Sequence, residues 1–280
     1  MKTLLCLGLG YSARALAKRM ISQGWNVIGT TRSQERAREL WKDGFEALVW
    51  PCDLSEALSR TTHIVASAAP ENGHDPFLSV CSRIAKSSPL WVGYLSTVGV
   101  YGDTGGAWVD EASPTAPGHA RSKERLEVEK EWLDTCLPVH IFRLAGIYGP
   151  GRGPLQQLRE GRGQRIAKSG HVFCRVHVAD IVQVLEASIL RPNPSAIYNV
   201  CDDEPAPAEE VISFAAKALN LQIPPIVPFE KAEMTPLARS FYEECRRVRN
   251  ERIKKELGVK LIHPNYRSGL EETIALQRPT

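Results

Sequence analysis

The feature that most constrains this chain is a glycine turn at residues 8–13, set between an apolar run and an amphipathic stretch. The run Thr3–Leu7 is short and continuously apolar, which is typical of a parallel strand covered on both faces. After the turn, apolar residues recur at the spacing of one helix face, at Ala13, Leu16, Ala17, Met20 and Ile21. The sequence therefore predicts a buried strand that passes through a tight turn directly into a helix.

The turn reads Gly-Leu-Gly-Tyr-Ser-Ala and fits the pattern G-x-G-x-x-G/A. In that pattern the first glycine makes the turn, the second lets the backbone approach a pyrophosphate, and the small last residue allows close helix–strand packing. The helix amino terminus that follows favours an anion. We therefore predict that Gly8, Gly10, Tyr11, Ser12 and Ala13 bind a dinucleotide. A glycine turn that serves packing alone is the alternative.

The alternation of strand and helix continues along the chain. Apolar runs predict strands at 27–31, 47–50, 63–66, 90–96, 139–144 and 197–200, and helical periodicity predicts helices at 34–41, 76–86, 120–136 and 178–190. Strands separated by helices at this spacing indicate right-handed βαβ units. The predicted fold class is α/β, a Rossmann-like doubly wound parallel sheet with a small C-terminal substrate-binding lobe.

The composition of the sequence changes after Pro150, where closely spaced glycines would interrupt any long helix or strand. We assign 1–150 and 177–200 to the NAD(P)-binding Rossmann lobe, and 151–176 and 201–280 to a smaller lobe. That lobe is expected to cover the carboxyl edge of the sheet, where ligands of such sheets bind.

The residues after the second strand bear on the choice of cofactor. An acid that binds the ribose 2′-hydroxyl is expected there, but the chain has Thr30, Thr31, Arg32 and Ser33 instead. Because a guanidinium suits a 2′-phosphate, we predict that Thr31 and Arg32 favour NADP over NAD. Alternatively, Arg32 is a solvated residue that begins the next helix. Asp53, after the third strand, either caps a helix or holds the adenine.

Composition excludes several other classes of protein. The net charge of +3 is too small for the electrostatic footprint of a nucleic-acid binder, and no apolar run reaches the length of a membrane span. The seven cysteines form no C-x-x-C pair and are read as reduced thiols in a cytoplasmic protein. His171, Cys174 and His177 suggest a metal site, but on a strand Cys174 would face away from the two histidines, so no metal is predicted.

Further segments carry a family resemblance. They are 8–13, 52–54 (CDL), 66–70 (ASAAP), 95–103 (LSTVGVYGD), 142–151 (FRLAGIYGPG), 176–180 (VHVAD) and 198–200 (YNV). In order and spacing they resemble the extended short-chain dehydrogenase/reductases, also called the NAD-dependent epimerase/dehydratase family. The resemblance implies that Asp53, Leu54, Ala68 and Ala69 line the cofactor site and that the nicotinamide lies near Thr97, Ala145 and Ile147. It also implies a homodimer in which the helix that carries Lys123 pairs with its copy.

Family chemistry uses a Ser/Thr and the pair Y-x-x-x-K, which places Thr97 and Lys123 at two of the three catalytic positions. The tyrosine position holds His119, so the chain resembles an atypical branch that lacks the catalytic tyrosine. Residues four apart share a helix face, and an imidazole needs no help to exchange protons near neutrality. His119 as general acid/base, a different donor such as Tyr101 or Tyr148, and no proton transfer at all remain open.

A basic stretch between 151 and 175 suggests the substrate. Six positive residues face one acid there: Arg152, Arg159, Arg162, Arg165, Lys168 and Arg175, against Glu160. We predict that Arg152, Arg165 and Arg175 bind an anionic small-molecule substrate; a solvated basic loop is the alternative. The predicted protein is an NADP-dependent oxidoreductase or epimerase/dehydratase-like enzyme with no nucleic-acid or membrane partner. The alternative is a catalytically inactive NADP-binding sensor.

Overall fold

A computed structural model describes residues 1–71 and 73–276 of the chain. Its centre is a seven-stranded parallel sheet in the order β11-β7-β5-β4-β1-β2-β3. These strands are β1 (Thr3–Leu7), β2 (Asn26–Thr31), β3 (Glu46–Val49), β4 (His63–Ala66), β5 (Trp91–Thr97), β7 (Val139–Leu144) and β11 (Ile197–Val200). Strand order reverses between β1 and β4, which is the place where doubly wound sheets bind ligands. The predicted fold class is confirmed.

Six shorter strands pair outside this sheet: β6 (Trp108–Val109) with β13 (Arg247–Val248), β8 (Gly146–Tyr148) with β10 (Arg175–His177), and β9 (Arg165–Ala167) with β12 (Ile226–Pro228). Each pair is parallel and joins segments that are distant in sequence. Strands of two or three residues carry too little alternation to be predicted from the sequence.

The helices are α1 (Tyr11–Ser22), α2 (Gln34–Lys42), α3 (Ser55–Arg60), α4 (Cys81–Lys86), α5 (Ala120–Leu133), α6 (Pro154–Arg159), α7 (Val178–Leu190), α8 (Ala208–Ala218), α9 (Pro236–Ser240), α10 (Glu251–Leu257) and α11 (Tyr266–Ala275). Side-chain caps explain where several begin. Ser33 accepts a hydrogen bond from Arg36 N ahead of α2, and Asn265 accepts from Arg267 N and Ser268 N ahead of α11. Short 3₁₀ turns occupy Leu78–Val80, Val98–Tyr101 and Phe229–Lys231.

The chain divides into two units. Unit 1 comprises Met1–Thr97, Lys123–Arg143 and Val184–Tyr198, and unit 2 comprises Val98–Ser122, Leu144–Gln183 and Asn199–Thr280. The division from sequence differs, because it placed 98–122, 144–150, 177–183 and 199–200 in the Rossmann lobe. The segment 98–122 joins unit 2 through main-chain bonds: Thr104 N and Gly106 N both donate to Cys245 O, and β6 pairs with β13. Residues 277–280 of the predicted smaller lobe lie outside the described residues.

Each unit has its own hydrophobic core. In unit 1 the apolar faces of the central strands pack with Trp132 and Val128 of α5 and with Ile84 of α4. In unit 2 a smaller cluster joins Leu155 of α6, Val211 and Ala215 of α8, and Tyr266 and Leu270 of α11. Apolar burial of this kind supplies most of the folding free energy.

Within the described residues, every helix is too short or too polar to cross a bilayer. All seven cysteines are free thiols.

Candidate functional site

The glycine turn follows β1 in unit 1, and its first glycine is required by geometry. Gly8 has φ +91°, and a Cβ there would lie 2.9 Å from Ala68 N. Gly8 N donates to Thr30 Oγ1 at 2.7 Å, and the Ser67 hydroxyl donates to Gly8 O. Side chains from β2 and from the loop after β4 therefore hold the turn in place. Sequence reasoning missed both Thr30 and Ser67.

Gly10 stands at the amino terminus of α1 and has a different role. A Cβ at this position would meet no atom within 4 Å, and the residue is exposed. As the N-cap residue it has no side chain that could accept from the first-turn amides. Ser12 and Ala13 are buried against the sheet, while Tyr11 is half-buried. The turn thus offers an anion the open backbone approach that the sequence motif predicts.

Thr31 is the last residue of β2, and Arg32 follows it directly. Thr31 is half-buried, and the Arg32 side chain is 81% exposed and forms an ion pair with Glu71. Ser33, rather than Arg32, caps α2. The Arg32 guanidinium is therefore exposed to solvent and paired with the Glu71 carboxylate.

Asp53 lies two residues before α3 and accepts hydrogen bonds from Ser55, the first residue of that helix. Its Oδ1 accepts from Ser55 N at 3.0 Å and Ser55 Oγ at 2.7 Å, and lies 3.3 Å from Arg83 Nη1. The hydrogen bonds from Ser55, with help from Arg83, hold the pKa of the Asp53 carboxyl below its usual value. The N-cap of α3 is Leu54, and no side chain caps that helix, so the bonds of Asp53 form a local turn ahead of it. The next residue, Leu54, is fully buried in the core of unit 1, so only its main chain could face a ligand.

A guanidinium fixes the loop after β4, which contains Ala68 and Ala69. Arg125 Nη1 lies 3.3 Å from Ala68 O, 3.0 Å from Leu95 O and 3.0 Å from Tyr94 Oη. It therefore ties this loop to β5 at the edge of the sheet where β1 ends in the glycine turn. Sequence reasoning overlooked Arg125, although it lies three residues after buried Ser122 and four before buried Glu129, as one helix face requires.

Thr97 and Lys123 both belong to unit 1. Thr97 is the last residue of β5 and is half-buried, and Lys123 is exposed near the start of α5. These are the chain positions at which the family resemblance expects an oxygen-orienting hydroxyl and a ribose-binding lysine.

His119 belongs to unit 2, and its placement corrects one expectation. Helix α5 begins at Ala120, and His119 O accepts from Ser122 N at 3.0 Å, so His119 precedes the helix that was expected to carry it beside Lys123. Its Nε2 is buried without a hydrogen bond, 3.6 Å from Glu243 Oε2 and 3.7 Å from Glu244 Oε1. Pro117 and Gly118 precede it in an irregular segment, and a proline disfavours helical backbone in the residue before it.

Ala145 and Ile147 lie in unit 2 on the segment that follows β7. Ala145 is buried and its N–H donates to Val200 O at 3.0 Å, whereas half-buried Ile147 is the middle residue of β8.

The three predicted substrate arginines lie on separate elements of unit 2. Arg152 is exposed in the turn after β8. Arg165, on β9, lines a cavity of about 330 Å³ with Lys217, Glu209 and Glu210. On β10, Arg175 Nη1 instead donates to Phe173 O at 2.9 Å and Ala206 O at 2.8 Å.

Arg175 therefore has a structural task. Its guanidinium holds two main-chain carbonyls, and burial lowers its pKa. Burial also raises the pKa of the neighbouring Asp202 carboxyl to about 8, although Arg175 opposes that shift. Among the remaining basic residues, Arg162 pairs with Glu160 and Lys168 donates to Tyr242 O. Three of the six basic residues noted from sequence, Arg162, Lys168 and Arg175, are thus engaged within the fold.

Comparison with known proteins agrees with this picture. Residues 3–88 match the family model for NADP oxidoreductases dependent on coenzyme F420. Protein YeeZ of Escherichia coli (strain K12) is 30% identical over 223 residues, covering 72% of this chain and 78% of that protein.

Solved structures extend the likeness over the whole chain. A conserved protein of unknown function from Silicibacter pomeroyi DSS is 51% identical, covers 98% of this chain and 99% of its own, and superposes with a TM-score of 0.92. Human epimerase family protein SDR39U1 with NADPH has a TM-score of 0.75 at 20% identity, covering 98% of this chain and 99% of its own. At that identity the human protein shares the fold alone.

Proposed function

The chain belongs to the same protein family as Escherichia coli YeeZ, and we propose that it is an NADP-preferring oxidoreductase or epimerase/dehydratase-like enzyme. Its fold and its amino-terminal motif are those of proteins that bind nicotinamide dinucleotides. The proposed substrate is a small anionic molecule that reacts at a carbon bearing a hydroxyl or a carbonyl.

One observation carries the proposal. Gly8 is locked at φ +91° against Ala68, while Gly10 leaves open space before the first turn of α1. A turn needed only for packing would have no reason to keep the second glycine, because a side chain at residue 10 would meet nothing. The open approach fits a pyrophosphate at a helix amino terminus.

Roles for the remaining groups follow from their chemistry. A bound nicotinamide supplies hydride transfer. We assign to Lys123 the hydrogen bond to the nicotinamide ribose and a positive field, and to Thr97 the orientation of the substrate oxygen. His119 exchanges the proton that accompanies hydride transfer. The carboxylates of Glu243 and Glu244 lie 3.6 Å and 3.7 Å from its Nε2.

NADP preference rests on Arg32. Its exposed guanidinium can form a charge-assisted bidentate pair with a 2′-phosphate, and no acid replaces it at the end of β2. The ion pair with Glu71 must open for this, which costs little at an exposed site.

For the substrate, Arg152 and Arg165 remain the proposed anion contacts. Arg152 is exposed, and Arg165 Nε is buried without a hydrogen bond beside a cavity that it lines. The guanidinium of Arg175 stabilises the same unit through its hydrogen bonds to Phe173 O and Ala206 O.

A second candidate is a catalytically inactive NADP-binding sensor. It is favoured by the absence of tyrosine at residue 119 and by the position of His119 outside α5. In an atypical branch of this kind the cofactor turn would persist while proton transfer is lost. We further propose a cytoplasmic location, supported by seven unpaired thiols, and a homodimer without nucleic-acid or membrane partners.

The decisive experiment is thermal unfolding of the full chain with NADP, NADPH, NAD and NADH. A ligand at 100 times its Kd stabilises the folded state by about 2.7 kcal/mol, so the largest shift is expected with the NADP pair. A screen of carbonyl substrates, followed by nicotinamide absorbance, then separates enzyme from sensor. No shift with any of the four nucleotides overturns both candidates.

A further inference from the structure

Three side chains able to bind a metal meet in unit 2, in a cluster that the nicotinamide proposal does not use. They are His177 at the end of β10, His263 ahead of α11, and Glu272 within α11. One ligand atom from each lies within 4.8 Å of the other two. The sequence grouped His177 with His171 and Cys174, whereas its actual neighbours come from more than eighty residues later.

The two histidines are enclosed and one lacks hydrogen bonds. His177 is 2% exposed and His263 is 4% exposed, and their rings meet edge to face at 4.3 Å. Neither ring nitrogen of His263 makes a hydrogen bond, although its Nε2 is in contact with the Glu272 carboxylate. The His263 Nδ1, buried without a polar partner, is therefore costly and calls for an explanation.

The backbone around His263 is held firmly. Asp180 Oδ1 accepts from Ile262 N at 2.6 Å, and Asp180 Oδ2 accepts from His263 N at 3.1 Å. The Asn265 cap then fixes the start of α11, which carries Glu272 to the same place. Asp180 thus fixes the main chain of one ligand, and the Asn265 cap fixes the helix that carries another, so the ligand set is prearranged.

We propose that His177, His263 and Glu272 bind a divalent transition-metal ion of the zinc type. Two imidazoles and one carboxylate form a recognised zinc ligand set, completed by a solvent molecule. Glu272, with its side chain 43% exposed, provides the entry path and the solvent-facing side. The ion links α11 to β10 within unit 2, and the solvent molecule occupies its fourth position.

Zinc binding at these three residues needs only small shifts of the ligand side chains. Neighbouring donor atoms around tetrahedral zinc are about 3.3 Å apart, so the widest pair must approach by about 1.5 Å or less. His177 Nε2 lies 3.3 Å from Thr273 Oγ1 and turns from that hydroxyl to the ion. Ligation through Nε2 places the ring proton on Nδ1, so the 3.3 Å contact from Ala179 N is given up.

Zinc titration of the tag-free full chain tests the proposal, with calorimetry after chelator treatment. One equivalent should bind and raise the Tm, and cobalt(II) should give the visible absorption of a four-coordinate site. Glu272→Gln and His263→Phe should weaken zinc binding on the order of 100-fold. Glu271→Gln, one residue away on the exposed side of the same helix, should bind zinc like the wild type.

Two results would contradict the proposed zinc site. The first is no stoichiometric zinc binding by the wild-type chain, in which case His263 and Glu272 form only an ion pair. The second is zinc binding that survives unchanged in both ligand variants while circular dichroism shows them folded. Neither result bears on the nucleotide measurements, because those report on the glycine turn of unit 1.

Discussion

The guanidinium of Arg143 binds both carboxylate oxygens of Glu129 in the interior of unit 1, with the two side chains 5% and 2% exposed. Ser96 also donates to Glu129. Glu129→Gln should leave an uncompensated buried cation and lower the free energy of unfolding by about 3–5 kcal/mol. Denaturant unfolding measures this. Glu127→Gln, which breaks the exposed pair with Lys130, should change stability by less than about 1 kcal/mol; equal effects of the two variants would contradict the prediction.

Gly10→Ala should separate folding from cofactor binding. The added Cβ meets no protein atom, so the Tm without ligand should change little. It occupies the approach to the first turn of α1, and dinucleotide affinity should fall about tenfold or more, which is 1.4 kcal/mol or more. Calorimetric titration with NADPH checks the affinity. Gly8→Ala is the comparison variant, and it should destabilise the chain itself because its Cβ would lie 2.9 Å from Ala68 N. If Gly10→Ala bound NADPH as tightly as the wild type does, the pyrophosphate could not lie at the first turn of α1.

Arg32→Ala should change cofactor choice. Loss of a charged hydrogen bond to the 2′-phosphate should weaken NADP binding about 10- to 100-fold and leave NAD binding unchanged. Parallel titrations with both nucleotides measure the ratio. Arg60→Ala removes another exposed arginine of unit 1 that is paired with a glutamate and should leave the ratio as it was. Equal NADP affinities with and without the Arg32 side chain would refute the proposed preference.

Acid should destabilise unit 1 through His63. Burial, with Lys2 nearby, lowers the pKa of His63 from 6.5 to about 4. Between these values the unfolded chain binds a proton that the folded chain does not, so stability is lost as the pH falls from about 6.5 to 4. The loss between pH 7 and pH 5 should be about 2 kcal/mol.

The measurement is denaturant unfolding at both pH values for wild type and His63→Phe. The variant should show a smaller loss by about that amount, whereas His74→Gln, at an exposed histidine of the same unit, should follow the wild type. His177 also has a pKa lowered to about 4, so part of the acid sensitivity should persist in His63→Phe. An identical loss in His63→Phe and wild type would be inconsistent with the role given to His63.

His119→Gln should distinguish the two candidate functions. If His119 transfers the proton, kcat for an identified substrate should fall about 10²- to 10⁴-fold while the NADPH Kd stays the same. Steady-state kinetics and calorimetry measure the two quantities, with His74→Gln as the control. Turnover that persists unchanged in His119→Gln would assign proton transfer to another group, and no turnover by the wild type with any substrate would favour the sensor.

Local signals explain how much of the fold the sequence could predict. Strand β4 and helix α7 have the predicted bounds because apolar runs and helical periodicity lie within the segments themselves. Helix α3 was missed because six residues with only Ala57 and Leu58 buried carry no clear period. The membership of 98–122 in unit 2 depends on Cys245, whose pairing with Thr104 and Gly106 leaves no trace in the local sequence.

The candidate site shows the same limit. The glycine motif is contiguous and could be predicted, whereas Thr30, Ser67 and Arg125, which hold it, come from three separate segments. The helix-face argument does not hold for His119, because α5 begins at Ala120, as the periodicity predicts, and His119 lies just before it. Arg175 looked like a free cation in the sequence, because the carbonyls that it binds are visible only after folding.

The interleaving of the two units limits how such a protein can be divided or recombined. The chain passes from one unit to the other five times, at 97/98, 122/123, 143/144, 183/184 and 198/199. No single cut therefore releases either unit intact, and a gene fusion that exchanges one contiguous block would graft parts of both. Either unit can therefore be altered by substitutions and loop insertions within a fixed frame, and not by replacement of a contiguous module.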